Sequence, residues 1–163
     1  MELRKKIIKI ELKILKMTEK KIYIINGPNL NLLGDREPDI YGNKTLKDLE
    51  DDLNQIVTEN DLGISLVFMQ SNSEGEIVDQ VQKAGKEATG LIINAGGLSH
   101  TSVSILDALL SIKIPKIEVH ISNLFSREEF RQHSYLSRGV NGFICGFGIN
   151  GYTLAIQGIL KII

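Results

Sequence analysis

A single cysteine, Cys145, stands among 163 residues, which excludes an intramolecular disulfide and any zinc site built from several thiolates. Its apolar neighbours predict that it is buried, and a reducing cytoplasm is the compartment that fits. No apolar run approaches the roughly 20 residues that a membrane-spanning helix needs. No G-x-S-x-G elbow occurs, and the three histidines are too scattered to form a metal-binding pair on one helix, so serine-hydrolase and zinc readings are weak. Low-complexity tracts are absent too, as are internal repeats beyond a recurring β-α unit. What is present, 42% hydrophobic and 24% charged residues, is the balance of a soluble globular protein of one domain.

Charge is unevenly placed. Residues 1–21 hold eight Lys or Arg against three Glu, and the remaining residues hold eleven against seventeen, net −6. The body is mildly acidic, so nucleic acid is not an expected partner. In residues 1–20, Leu3, Ile7, Ile10, Ile14 and Met17 recur at helical spacing with lysines off the stripe, a basic amphipathic extension preceding a domain over 21–163. Lysines interrupt every candidate secretory core, which argues against a signal peptide. Three readings of this extension stay open: a helix docked on the body or a neighbouring subunit, sequence upstream of a natural start at Met17, or a membrane-surface helix, which at this length would anchor only weakly.

Short apolar runs alternate with amphipathic stretches over the rest of the chain. Strands are expected at Lys21–Asn26, Ile64–Met69, Leu91–Asn94, Lys116–Ile121 and Gly142–Cys145. Helices are expected to open at Thr45, with Asp48 three residues on, and at Ser73 with Glu76. Others are expected over Thr101–Ile112, briefly over Arg127–Arg131, and from about Tyr152. This order specifies right-handed β-α-β units and hence a flavodoxin-like, doubly wound, five-stranded parallel sheet. In such sheets the ligand crevice lies beyond the carboxyl ends of the strands, where strand order reverses. The conspicuous polar residues collect there: Asn26, Asn29 and Asn31 after strand one, Asn94, Ser99 and His100 after strand three, and His120, Ser122 and Asn123 after strand four. Gly146, Gly148 and Gly151 match a dinucleotide signature, but only twelve residues follow, so they read as a tight turn. Asn43-Lys44-Thr45 matches a glycosylation acceptor that means little without a secretory signal.

Glu118 and His120 share one strand face. A carboxylate beside an imidazole favours the imidazolium, making His120 a general acid, although a core histidine with a structural partner is equally compatible with the pair alone. Arg36 and Tyr41 lie in a loop bounded by Gly34 and Gly42. That loop is either a closing lid, in which a guanidinium stabilises a phenolate base, or a surface loop with an ordinary salt bridge. Arg127 and Arg131, one helical turn apart, suit a carboxylate or phosphate, unless Glu128 and Glu129 hold them as surface pairs. His100 precedes a helix whose first turn is expected to hold Thr101 and Ser102, where free N–H groups can take an anion. Asp107 faces either another subunit or solvent. His133, Arg138 and the lysines read as solvated. No lysine occurs in Asn26–Asn31, Asn94–Ser102 or His120–Arg131, which argues against a Schiff base. The combination suits proton abstraction beside a carbonyl with acid-assisted loss of a hydroxyl.

At NGPNLNLLG (from Asn26), REPDIYG (Arg36), QSNSEGEIVD (Gln70), INAGGLSHTS (Ile93), IEVHISN (Ile117) and REEFRQHSYLS (Arg127), the chain resembles the type II 3-dehydroquinate dehydratases of the shikimate pathway. The resemblance runs from about Lys21 to Leu154. It implies anti elimination of water from 3-dehydroquinate through an enolate, no cofactor, no metal, and a homo-oligomer, often a dodecamer built as a tetramer of trimers. Tyr41 then corresponds to the base, Arg36 to the group that lowers its pKa, and Asn29 to the holder of a water bridging to the enolate oxygen. His120, supported by Glu118, corresponds to the acid. Asn94, His100, Ile121, Ser122 and Arg131 correspond to substrate-binding positions, with Arg127 nearby, and Asp107 to a residue supplied by an adjacent subunit. The first 20 residues have no counterpart in the family pattern. A non-enzymatic flavodoxin-like anion-binding module is the rival reading.

Overall fold

The computed structural model describes residues 4, 6, 20–35 and 43–163. Among them, β1 (Lys20–Asn26), β2 (Ile64–Gln70), β3 (Gly90–Asn94), β4 (Lys116–His120) and β5 (Gly142–Cys145) form one sheet, all pairs parallel, in the order β2-β1-β3-β4-β5. This is the doubly wound order expected, and it reverses between β1 and β3.

Alternation along the strands distributes the core to two faces. Ile22, Ile24, Ile92, Ile117 and Val119 pack on one face with Leu49 and Leu53 of α1 (Leu46–Glu59) and Ala155, Ile156 and Ile159 of α4 (Asn150–Leu160). Tyr23, Ile25, Leu91 and Ile93 pack on the other with Ile77, Val81 and Ala84 of α2 (Glu74–Glu87) and Ile105, Ala108 and Leu109 of α3 (Val103–Ser111). Thr45 and Asp48 form the reciprocal capping box read from their spacing, and Ser73 caps α2 through the Glu76 N–H.

Four expectations need correction. Cys145 is only half-buried, because β5 is an edge strand. Lys116 is buried: its Nζ donates to the Ile112 carbonyl at 2.8 Å, and desolvation holds its pKa below the ordinary lysine value. Thr101 and Ser102 do not lie in the first turn of a helix. Residues Gly96–His100 form a 3-10 turn, and Ser102 is the N-cap of α3, its hydroxyl accepting from the Ile105 N–H at 2.9 Å. Nor do Arg127 and Arg131 share a helix; they follow one another through 3-10 turns at Leu124–Ser126 and Glu129–Arg131.

The chain leaving β1 and the chain leaving β3 touch backbone to backbone. A Cβ at Gly27 would lie 2.5 Å from the Ala95 carbonyl oxygen, and one at Gly96, where φ is +57, would lie 3.0 Å from that of Pro28. Because neither obstacle is a flexible side chain, Gly27→Ala is expected to destabilise the fold by about 1–3 kcal/mol. Urea unfolding checks this; a variant as stable as the parent would mean that the two loops separate freely.

Candidate active site

The first wall of the rim is the start of the loop after β1. Gly27 N–H donates to the Asn94 carbonyl at 2.7 Å, continuing the β1–β3 ladder past the strands. Asn29 then takes a left-handed conformation (φ 68), one that Asn tolerates better than most residues. Its N–H donates to Asn72 Oδ1 at 2.9 Å, and Gln70 bridges Asn72 and the Gly27 carbonyl, so the loop beyond β2 braces this segment. Arg36 and Tyr41 lie outside the described residues.

The second wall follows β3. His100 is buried, with Nδ1 2.6 Å from the His133 carbonyl oxygen. A carbonyl only accepts, so Nδ1 carries the proton and Nε2 keeps its lone pair when the ring is neutral. Burial pulls the His100 pKa below the ordinary 6.5; the hydrogen bond to His133 opposes this, while the nearby charges of His120, Arg131 and His133 act with it. His133 is exposed, as its sequence suggested, but its carbonyl is a structural part of the site.

The third wall is the end of β4. His120 Nε2 lies 2.7 Å from Glu118 Oε1, and the same oxygen accepts from the Ser134 hydroxyl at 2.7 Å. Both β4 side chains are almost completely buried (4% and 0% exposed), which makes this a fixed pair rather than a surface contact. With Nε2 engaged, Nδ1 is the His120 atom left to serve a ligand. The His120 ring stacks on that of His100, centroids 6.2 Å apart.

Asn29, Asn94, His100 and His120 line one cavity of about 170 Å³, and Ile121, Ser122, Arg127 and Arg131 close its far side. That size suits a small metabolite better than the drug-sized ligands of pockets above about 300 Å³. Glu128 Oε2 lies 3.4 Å from Arg127 Nε and 3.1 Å from Arg131 Nε, so one carboxylate holds the two guanidiniums close together at the cavity, a grouping that suits an anion. Arg127 also donates to Ser122 Oγ at 3.4 Å. Glu118 stands behind His120 and does not line the cavity, while Asp107 is exposed on α3 and outside it. Ser134, the His133 carbonyl and Asn72 escaped the sequence reading. Their partners are 16, 33 and 43 residues away, and no local spacing signals such contacts.

A doubly wound parallel sheet that gathers a carboxylate-bound imidazole, a second imidazole of fixed tautomer and two arginines at its switch point defines a small-molecule enzyme working by acid–base chemistry on an anionic substrate. The sequence profile described as "Dehydroquinase class II" matches residues 20–160. The 3-dehydroquinate dehydratase of Prochlorococcus marinus subsp. pastoris is 57% identical over 140 residues, covering 86% of this chain and 94% of that protein. That of Afipia carboxidovorans is 53% identical over 141 residues, covering 86% and 92%. The crystal structure of type II dehydroquinase from Propionibacterium acnes superposes with a TM-score of 0.83 at 42% identity, covering 88% of this chain and 97% of that one. The chain belongs to the class II dehydroquinase family.

His100 provides a pH test. Its folded-state pKa lies below the unfolded value, so its stabilisation is complete above about pH 6.5 and is withdrawn as pH falls below that, where the unfolded chain takes the proton first. The difference in unfolding free energy between the parent and His100→Asn is therefore expected to shrink on acidification through this window. A pH-independent difference would contradict it.

Proposed function

We propose that residues 21–163 form the catalytic unit and that the rim cavity carries out anti elimination of water from 3-dehydroquinate through an enolate. Dehydration of 3-dehydroquinate, a step of the shikimate pathway, is the activity of the family; the assignment of steps to residues is the proposal. The observation that carries it is the buried Ser134–Glu118–His120 chain at the end of β4, whose remaining imidazole nitrogen serves the cavity. An anion-binding module would account for the two arginines but would not need this arrangement.

In this reading Tyr41 takes the proton beside the ketone as a phenolate stabilised by Arg36. Asn29, held in place by Asn72, orients a water that bridges to the enolate oxygen. His120, oriented by Glu118, gives its proton to the departing hydroxyl. Arg131, with Arg127 beside it, Ser122 and the Ile121 backbone take the carboxylate end, and Asn94 and His100 take hydroxyls. Asp107 contributes to a neighbouring subunit's site in a homo-oligomer, a dodecamer in its full form. The exposed apolar side chains of Val103 and Leu110 on the same helix favour such a contact. Among the described residues no helix is long and apolar enough to cross a membrane, and a cytoplasmic enzyme is the reading that suits the single unpaired cysteine.

Tyr41→Phe is expected to fold and assemble as the parent does, yet to lose at least about 100-fold in the rate at which the conjugated enone of 3-dehydroshikimate appears by ultraviolet absorbance. Near-parent turnover would remove Tyr41 from the mechanism. No lysine is among the described residues that line the cavity, so borohydride added with substrate should leave the enzyme active. Covalent labelling with loss of activity would point instead to a Schiff base.

A further inference from the structure

The run Gly146, Gly148 and Gly151, set aside as a nucleotide signature, has a purpose in what it delivers. Gly146 and Gly148 have positive φ (87 and 58) and turn the chain sharply from β5 into α4. A Cβ at Gly151 would sit 3.2 Å from Val119 Cγ1, so its absence lets the first turn of α4 lie against the sheet. Tyr152 is thereby placed beneath the carboxyl rim, fully buried. Its hydroxyl ends between two strand-terminal asparagines, 2.6 Å from Asn26 Oδ1 and 2.9 Å from Asn94 Nδ2.

The direction of these bonds follows from one end. The Gly96 N–H can only donate, so the Asn94 side-chain atom 3.2 Å away is its oxygen. The amide nitrogen of Asn94 then faces Tyr152, whose oxygen accepts from it and whose single proton goes to Asn26. Burial pushes the phenol's pKa far above its ordinary value, a shift the Asn94 hydrogen bond only partly opposes, so the hydroxyl stays protonated and the chain keeps its direction. Asn94 has thus committed its oxygen and one amide hydrogen to the protein. The second amide hydrogen is what it offers the cavity it lines.

We propose that Tyr152 is a positioning residue that fixes the orientation of the Asn94 amide, holding one N–H and leaving the other for the cavity, so that Asn94 meets a hydroxylated carboxylic acid as a donor to an accepting oxygen. This rests on the substrate-binding role given to Asn94 above. A phenol needed only for packing would be replaceable by phenylalanine, whereas a clamp on a binding group affects substrate affinity more than the chemical step.

Tyr152→Phe, Asn94→Ala and the double variant test it in the full-length enzyme with 3-dehydroquinate. Tyr152→Phe is expected to raise KM by about tenfold, the loss of one oriented hydrogen bond, with kcat within about twofold. In the Asn94→Ala background the same change is expected to add nothing, because the group it positions is gone. A raised KM in Asn94→Ala with an unaltered KM in Tyr152→Phe, or independent additive rises in the double variant, would overturn the role of Tyr152 alone. An unaltered KM in Asn94→Ala would overturn both this role and the binding role of Asn94. The parent protein gives a check that needs no variant to fold. In 15N-labelled enzyme one Asn94 side-chain amide hydrogen should exchange slowly and the other quickly until product fills the cavity. Equally fast exchange of both would refute the clamp.

Discussion

The close approach of the two chain segments that leave β1 and β3 is the constraint on which the site depends. At the switch point α1, which follows β1, and α3, which follows β3, pack on opposite faces of the sheet, so among the described residues no helix covers the rim there, and the crevice is a consequence of topology. What keeps it a defined shape is the Gly27–Asn94 hydrogen bond past the strand ends, with backbones packed too tightly for a Cβ on either glycine. Asn29, Asn94 and His100 all lie within six residues of that seam. Their relative positions are therefore set first by the backbone at this seam, with Asn72 bracing Asn29 and the His133 carbonyl holding His100.

On this frame the two buried imidazoles are differentiated by what each ring nitrogen meets. His100 gives its Nδ1 hydrogen to a carbonyl and stays a neutral acceptor, whereas His120 meets a carboxylate through Nε2. The rings stack at 6.2 Å, so charge on one opposes charge on the other. Their different hydrogen-bond partners are consistent with the distinct roles proposed for the two imidazoles. Ser134 supports it from a distance, since its hydroxyl adds a second donor to the oxygen that His120 uses.

The sheet and the rim were legible in the sequence because both rest on local rules. Strands buried on two faces read as continuous apolar runs, capping boxes sit at fixed spacing, and the polar residues after strands one, three and four could be assigned to one crevice from topology alone. The errors fall where local rules are degenerate. A 3-10 turn uses the same residue types as a first α-helical turn, which is why the sequence pattern over Arg127–Arg131 reads as a short helix and that after Gly97 reads as a helix opening at Thr101, where Ser102 is instead the N-cap. Lys116 looks like any strand-end lysine until Ile112 turns its carbonyl toward it. The side chains that hold the functional groups, Ser134 on Glu118 and Tyr152 on Asn94, reach them across 16 and 58 residues, beyond any periodicity. The roles proposed for Arg36 and Tyr41 rest on the resemblance of REPDIYG to the family motif, because spacing alone leaves them open.

An anti elimination places the base and the acid on opposite faces of the substrate, and this bears on why the proposed roles are split between β4 and the loop after β1. The carboxyl rim of a sheet presents groups from one side only. It holds His120 through Glu118 and Ser134, and in the proposed role an acid that must give its proton to a poor leaving group gains from such preorganisation. In the proposed mechanism the opposite face is served by Tyr41, which lies outside the described residues and whose segment is reached in sequence from the cavity wall made by Asn29. A crevice open at the strand ends is thus compatible with the proposed arrangement, in which the acid is fixed on the sheet and the base comes from a different part of the chain.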